Sequence, residues 1–312
     1  MKTTRRAALR LGVGVAAALA LRWRVLPAQQ QAGPLIKRKI PHTGDEIPII
    51  GIGTARRYDV GTSEAERAPL RQVLRSFTRM GGGLIDTAPT YGTAETVVGE
   101  LIQQIGNRDK VFIATKISLR GRSGRQAGIE QMEQSMRRFG TDHIDLMQVH
   151  NLNDWQTQLP LIREWKAKGR LGNIGITTSF DGQYAQMEQI MRDEDMDTIQ
   201  VDYAINNRNA EQRILPLAAD RGFGVLINLP FGRKSTFAAV GNKPLPPWAA
   251  EYDIHSWAQY FLKWIVSHPA VTVAIPGTAK MSYLVDNLGA ARGRLPDAAG
   301  RRKMLQYFES LQ

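Results

Sequence analysis

Residues 111–149, VFIATKISLRGRSGRQAGIEQMEQSMRRFGTDHIDLMQV, hold one repeat unit of this chain. Val111–Lys116 is a short apolar run with β-branched and aromatic residues, as in a buried strand. Ile129–Met136 spaces its apolar residues three and four apart, as in a half-buried helix. Gly140 marks the helix end, and Ile144–Val149 is a second apolar run. Strand, helix and strand in that order form a βαβ unit with parallel pairing.

The same alternation continues on both sides. Further strand-like runs lie at Pro48–Gly53, Gly83–Thr87, Asn173–Thr177, Thr198–Tyr203, Phe223–Leu229 and Val271–Ile275, which makes eight in all. They start about 25–35 residues apart, except for a last interval of 48. Helical stripes at Leu70–Phe77, Val97–Ile105, Leu159–Trp165, Met187–Met191, Ile214–Ala219 and Trp257–Ile265 lie between them. Eight such units predict a single (β/α)8 TIM barrel over residues 33–312. A length of 312 also suits two domains, but no linker or low-complexity stretch divides the body. A doubly wound open sheet is the alternative. Its phosphate loop is missing, because Gly51-Ile52-Gly53-Thr54 lacks a third glycine opening a helix. Leu35–Ile40, a Thr43-Gly44 turn and Glu46–Ile50 predict a β-hairpin that closes the bottom of the barrel. Phe231–Tyr252, with Pro244, Pro246 and Pro247, reads as a long functional loop.

Residues 1–32 read differently. Lys2, Arg5 and Arg6 precede an apolar stretch, Leu9–Leu21, broken only by Arg10; Pro27, Ala28 and Gln29–Gln31 follow. That is the order of a removable export signal, and Arg5–Arg6 resembles the twin-arginine type. The expectation is an exported, periplasmic protein that meets the export machinery through this segment. The stretch is too short for a stable membrane span; an amphipathic or anchoring helix is the alternative. The net charge of +12 falls to +6 without the six basic residues of this segment. A mildly basic body makes no case for nucleic acid. Arg120–Arg125 and Arg301–Lys303 read as solvated faces. The absence of cysteine excludes disulfides, thiolate metal sites and cysteine nucleophiles. The five histidines form no metal-binding spacing, and there is no Gly-x-Ser-x-Gly elbow, so a metal site and a serine hydrolase are not expected.

The chemistry belongs at the C-terminal ends of barrel strands. Asp86 ends the second run, Tyr91 follows it, Lys116 ends the third and His150 the fourth. Each alone has an ordinary structural reading. Together, on one rim, they make a proton-transfer site.

On these residues the chain resembles the aldo/keto reductase family. Gly83-Leu-Ile-Asp86-Thr-Ala-Pro-Thr-Tyr91-Gly, Val111–Lys116, Asp145-Leu-Met-Gln-Val-His150, Gly169-Arg-Leu-Gly-Asn-Ile-Gly175, Ile275-Pro-Gly-Thr278 and Leu284–Asn287 carry the resemblance, over roughly residues 34–290. It implies an NADP(H)-dependent oxidoreductase that reduces an aldehyde or ketone to an alcohol, with NAD(H) as a possible substitute. A non-catalytic nicotinamide-binding redox sensor or partner subunit is the alternative the family also offers. In the enzymatic reading Tyr91 supplies the proton and Lys116 lowers the phenol's pKa. Asp86 holds Lys116, and His150 donates to the carbonyl oxygen. The hydride comes from the cofactor, because no side chain can supply one.

The resemblance also implies a cofactor site of Gly53, Thr54, Thr177, Thr178, Gln200, Leu229, Pro230, Gly232, Gly277, Thr278, Lys280 and Asn287. Thr177 and Thr178 replace the family's Ser-Asn pair. Asn228 stands where many members carry an aromatic, and Tyr283 where NADPH-preferring members carry an arginine. Lys280 is the candidate for the 2′-phosphate. Tyr58, Trp155 and Trp248 are expected to wall the substrate. Arg56 and Arg57 either suit an anionic substrate or are solvated.

Overall fold

The computed structural model describes residues 33–312. The expected export signal, residues 1–32 with Arg5 and Arg6, lies outside the described residues. A short hairpin, β1 (Lys37–Lys39) and β2 (Glu46–Pro48), comes first, paired antiparallel. Eight parallel strands follow: β3 (Ile52–Gly53), β4 (Leu84–Asp86), β5 (Phe112–Ile117), β6 (Ile144–His150), β7 (Leu171–Thr177), β8 (Thr198–Asp202), β9 (Gly224–Asn228) and β10 (Val273–Ala274). Each pairs with the next in sequence. Parallel bridges Ile50↔Ala274 and Gly53↔Gly277 join the first barrel strand to the last and close the ring. All eight expected strand runs overlap one of these strands, and the doubly wound alternative is excluded.

The seam is tight. A Cβ at Gly53 would lie 2.8 Å from the Ile275 carbonyl oxygen, closer than packed atoms allow, so only glycine fits there. Side chains alternate along each strand. Met147, Val149, Ile174 and Ile176 pack outward with the helices. Leu84, Ala114, Leu146, Leu226 and Val273 share a second cluster with Ile40 and Ile47 of the hairpin. The hairpin therefore plugs the bottom of the barrel, as expected. Arg38 secures it by donating to the Val271 carbonyl.

The helices are α1 (Glu64–Arg79), α2 (Ala94–Ile105), α3 (Arg125–Phe139), α4 (Trp155–Ala167), α5 (Tyr184–Asp193), α6 (Ile214–Asp220), α7 (Ser235–Val240), α8 (Trp257–Val266), α9 (Met281–Gly289) and α10 (Ala298–Ser310). None of the described helices is long and apolar enough to cross a membrane. Two sequence readings need correction. Phe231–Tyr252 is not one long loop: it holds 3-10 turns at Gly232–Lys234 and Pro247–Tyr252 with α7 between them. Arg301 is not solvated. It bonds the Tyr203 hydroxyl (2.6 Å) and Glu211 (2.8 Å), and its guanidinium lies 4.6 Å from the centroid of the Trp264 ring.

Candidate active site

β4, β5 and β6 end side by side, and alternation turns Asp86, Lys116 and His150 toward the barrel axis. Lys116 is 1% exposed and Asp86 3%. A buried ammonium requires partners on every side. Lys116 Nζ donates to Asp86 Oδ1 at 2.8 Å and to the Thr87 carbonyl at 2.7 Å. Asp86 Oδ1 also accepts from Gln200 Nε2 (2.8 Å), and Gln200 Oε1 accepts from Thr177 Oγ1 (2.9 Å). A polar chain thus crosses the barrel from β7 through β8 to β4 and β5.

Tyr91 lies in the turn after β4, which Arg120 ties down by donating to the Thr90 carbonyl (2.8 Å). Lys116 Nζ is 5.4 Å from the Tyr91 ring centroid. His150 meets Tyr91 edge to face, with centroids 6.1 Å apart and planes at 84°. The structure therefore brings together all four residues expected at the strand ends.

The surroundings act on Tyr91 in both directions, and Lys116 lowers the phenol's pKa as expected. Burial raises the pKa of Tyr91 above the ordinary phenol value; Lys116 pulls it down only in part, and Asp86 adds to the rise. The phenol is therefore a held proton donor. Burial also opposes the charge on Lys116, but Asp86 and Tyr91 more than offset it, and its pKa is raised. Burial first, and Lys116 second, push His150 down to about 3, which leaves the imidazole neutral at ordinary pH.

The other candidates divide into those that border the mouth and those that do not. Thr178 is buried and its hydroxyl donates to Gln183. Gln183 Nε2 in turn reaches the Asn151 carbonyl (2.9 Å), so one glutamine links the ends of β7 and β6. Asn228 Nδ2 donates to the Thr178 carbonyl at 3.0 Å, and Asn228 Oδ1 is buried without a partner among the described residues. A carboxamide N–H is the kind of group such an acceptor requires, so this end of the site fits a nicotinamide. Leu229 and Gly232 line a cavity of about 530 Å³ with Phe180, Asp202, Asn206 and Arg233; Pro230 lies between the first two in sequence. Thr54 is buried, its hydroxyl on the Asp86 carbonyl (3.0 Å). Thr278 and Asn287 are buried and bonded to each other (2.9 Å). Lys280 is exposed, 5.6 Å from the Tyr283 ring centroid. Arg57 lies over Gly277: a Cβ there would sit 3.7 Å from its side chain.

Two of the three substrate-wall expectations are corrected. Tyr58 is fully buried, and its hydroxyl donates to the Thr278 carbonyl (3.2 Å). It anchors the loop after β3 and presents no surface to a substrate. Trp248 packs against Tyr260 and Tyr307, with Lys303 Nζ 4.3 Å above its ring, in the aromatic layer between α8 and α10. Trp155 opens α4 just beyond His150, half-buried, with its indole N–H unpartnered among the described residues. Sequence reading missed Ser118, whose hydroxyl lies 2.8 Å from His150 Nδ1. The alternation that turns Lys116 inward also turns the residue two positions on, and that signal points to Ser118.

A closed barrel whose C-terminal mouth sets a tyrosine against a buried lysine–aspartate pair and a neutral histidine defines a class of carbonyl oxidoreductase. The family model of the Aldo/keto reductase family matches residues 49–301. This chain belongs to the aldo/keto reductase family and is an NAD(P)H-dependent oxidoreductase. It is similar to methylglyoxal reductase YeaE of Escherichia coli, 28% identical over 84% of this chain and 92% of that one. It is also similar to the aldo-keto reductase YhdN of Bacillus subtilis, 30% identical over 60% of each. Among solved structures, an aldo/keto reductase of Klebsiella pneumoniae in complex with NADP and acetate superposes with a TM-score of 0.68. It is 24% identical and is matched over 88% of this chain and 96% of that one.

Proposed function

We propose that this protein reduces a small aldehyde or ketone to an alcohol with NADPH, and with NADH less well. The observation that carries the reading is the buried Lys116–Asp86 pair set beside Tyr91, with a neutral His150 facing that ring. Bound nicotinamide supplies the hydride. Tyr91 holds the proton that passes to the carbonyl oxygen. Lys116 then stabilises the phenolate left behind, and Asp86 keeps Lys116 charged and aimed. His150 orients the oxygen by donating one hydrogen bond. The Asn228 Oδ1 beside Thr178, unpartnered among the described residues, supports a carboxamide held by Asn228, Thr178 and Gln200. The names of relatives, two of them methylglyoxal reductases of Escherichia coli and one of those NADH-specific, support a small dicarbonyl as substrate and NADH as a second coenzyme.

The direct test follows NADPH consumption with methylglyoxal as substrate. Tyr91→Phe keeps the ring and removes the proton. Its turnover should fall about 10²-fold or more, while fluorescence titration shows NADPH affinity within about twofold of the parent. Full activity in that variant would overturn the assignment. We propose also that residues 1–32 direct export, on the strength of Lys2, Arg5, Arg6 and the apolar run after them. Cell fractionation should find the parent protein outside the cytoplasm and the Arg5→Lys, Arg6→Lys variant inside it. Equal distribution of the two would refute the twin-arginine reading.

A further inference from the structure

We propose that Ser118 is a positioning residue that fixes which ring nitrogen of His150 carries the proton. Ser118 follows β5 and His150 ends β6, one step beyond the last pair of that ladder, Ile117↔Val149. Adjacent strands therefore set the two side chains together, and Ser118 Oγ lies 2.8 Å from His150 Nδ1. Among the described residues the Ser118 hydroxyl makes no other hydrogen bond.

A neutral imidazole has one N–H and one lone pair, and the contact with Ser118 can be made in two ways. In the first, the serine O–H donates to Nδ1, and the ring proton sits on Nε2. Both the serine donor and the Nδ1 acceptor are then satisfied. In the second, Nδ1–H donates to the serine oxygen, and the buried serine O–H is left without an acceptor. An unsatisfied buried donor is the costlier arrangement, so the contact selects the Nε2–H form. Only that form can donate to a carbonyl oxygen in the mouth; the other presents a lone pair that repels it. Burial first, and the charge on Lys116 second, keep the ring from taking a second proton.

This inference rests on the reading of His150 as the carbonyl donor, and its test separates the two. Two-bond ¹H–¹⁵N spectra of the labelled full chain report the tautomer of His150 without any turnover. His150→Gln assigns the signal. The parent should show Nε2–H. In Ser118→Ala the signal should move toward a mixture of tautomers. The kcat for methylglyoxal should fall about 3–10-fold, with KM for NADPH unchanged, and Ser118→Thr, which keeps the hydroxyl, should restore both. A parent in the Nδ1–H form, or a Ser118→Ala variant with unaltered tautomer and kcat, overturns the proposal. If the tautomer shifts and kcat does not, Ser118 positions the ring but His150 is not the carbonyl donor.

Discussion

Lys116 stays charged because Asp86 outweighs the penalty of burying it, and that balance reaches Tyr91. In Lys116→Met the phenol loses the cation that lowers its pKa, while burial and Asp86 still raise it. The pH optimum for alcohol oxidation, which begins from the phenolate, should move upward by about one unit or more; a pH–rate profile of the variant checks this. Lys280 gives a second expectation. It is exposed, so a contact with a 2′-phosphate would be worth about 1 kcal/mol, near fivefold in Kd, and would weaken with salt. Lys280→Ala should weaken NADPH by that factor and leave NADH unchanged, as titration with both coenzymes at two salt concentrations would show. Equal losses would shift the phosphate contact to Arg57 over Gly277. At this scale the sequence showed plainly that Asp86, Tyr91, Lys116 and His150 gather on one rim, because residues at or just past the C-terminal ends of successive barrel strands converge there. It did not show Tyr58 correctly, since whether an aromatic after a strand faces the mouth or the core depends on Thr278, some 220 positions away. Gln183 was invisible for the same reason: its two partners lie on different strand ends.

Among the elements, α8 shows how a polar residue can hold a layer together. Lys263 is fully buried within its apolar stripe and donates to the carbonyls of Tyr252 (2.5 Å), Arg292 (2.7 Å) and Arg294 (3.0 Å). It fastens the 3-10 turn before α8 and the segment before α10 to one helix. Lys263→Met keeps the stem and strands three acceptors, and should cost about 3 kcal/mol or more. Urea unfolding measures it, and an unchanged midpoint would show that water replaces the ammonium. The barrel strands were readable because they are buried on both faces and appear as unbroken apolar runs. α10 escaped notice because its apolar stripe is thin: among its large side chains only Met304 and Phe308 are buried, beside Gly300. Its start is held instead by the Asp297 side chain, which accepts from the Gly300 amide (2.8 Å).

For the whole molecule, two half-buried histidines set a pH limit. Burial holds His150 at about 3 and His268 at about 4, against an ordinary value of 6.5. Above that value neither state binds the proton, and these groups leave stability unchanged. Below it the unfolded chain takes up protons that the folded chain refuses, so stability falls as pH drops toward 4. Urea midpoints measured across this window should decline, and a His150→Gln, His268→Gln double variant should decline less. Backbone strain also has a direction. Eight of the nine non-glycine residues with positive φ among the described residues, Arg56, Arg120, Asn151, Leu152, Asp154, Leu229, Arg233 and Lys234, follow the C-terminal ends of strands, and the ninth is Asp253. The regular ladder holds these turns at the mouth, where shape decides what is bound.

The hairpin plug has a consequence for how the chain is made. Ile40 and Ile47 are among the first described residues to leave the ribosome, yet their seat includes Val273 and Ile275, which leave near the end. Arg38 likewise waits for Val271. Until the last strand is synthesised the floor of the barrel has no walls to close against, and the growing chain carries an open ring with its apolar axis uncovered. Closure is therefore a single late event that couples the two ends of the polypeptide. A truncation after β9 should yield an aggregation-prone product rather than a smaller folded protein.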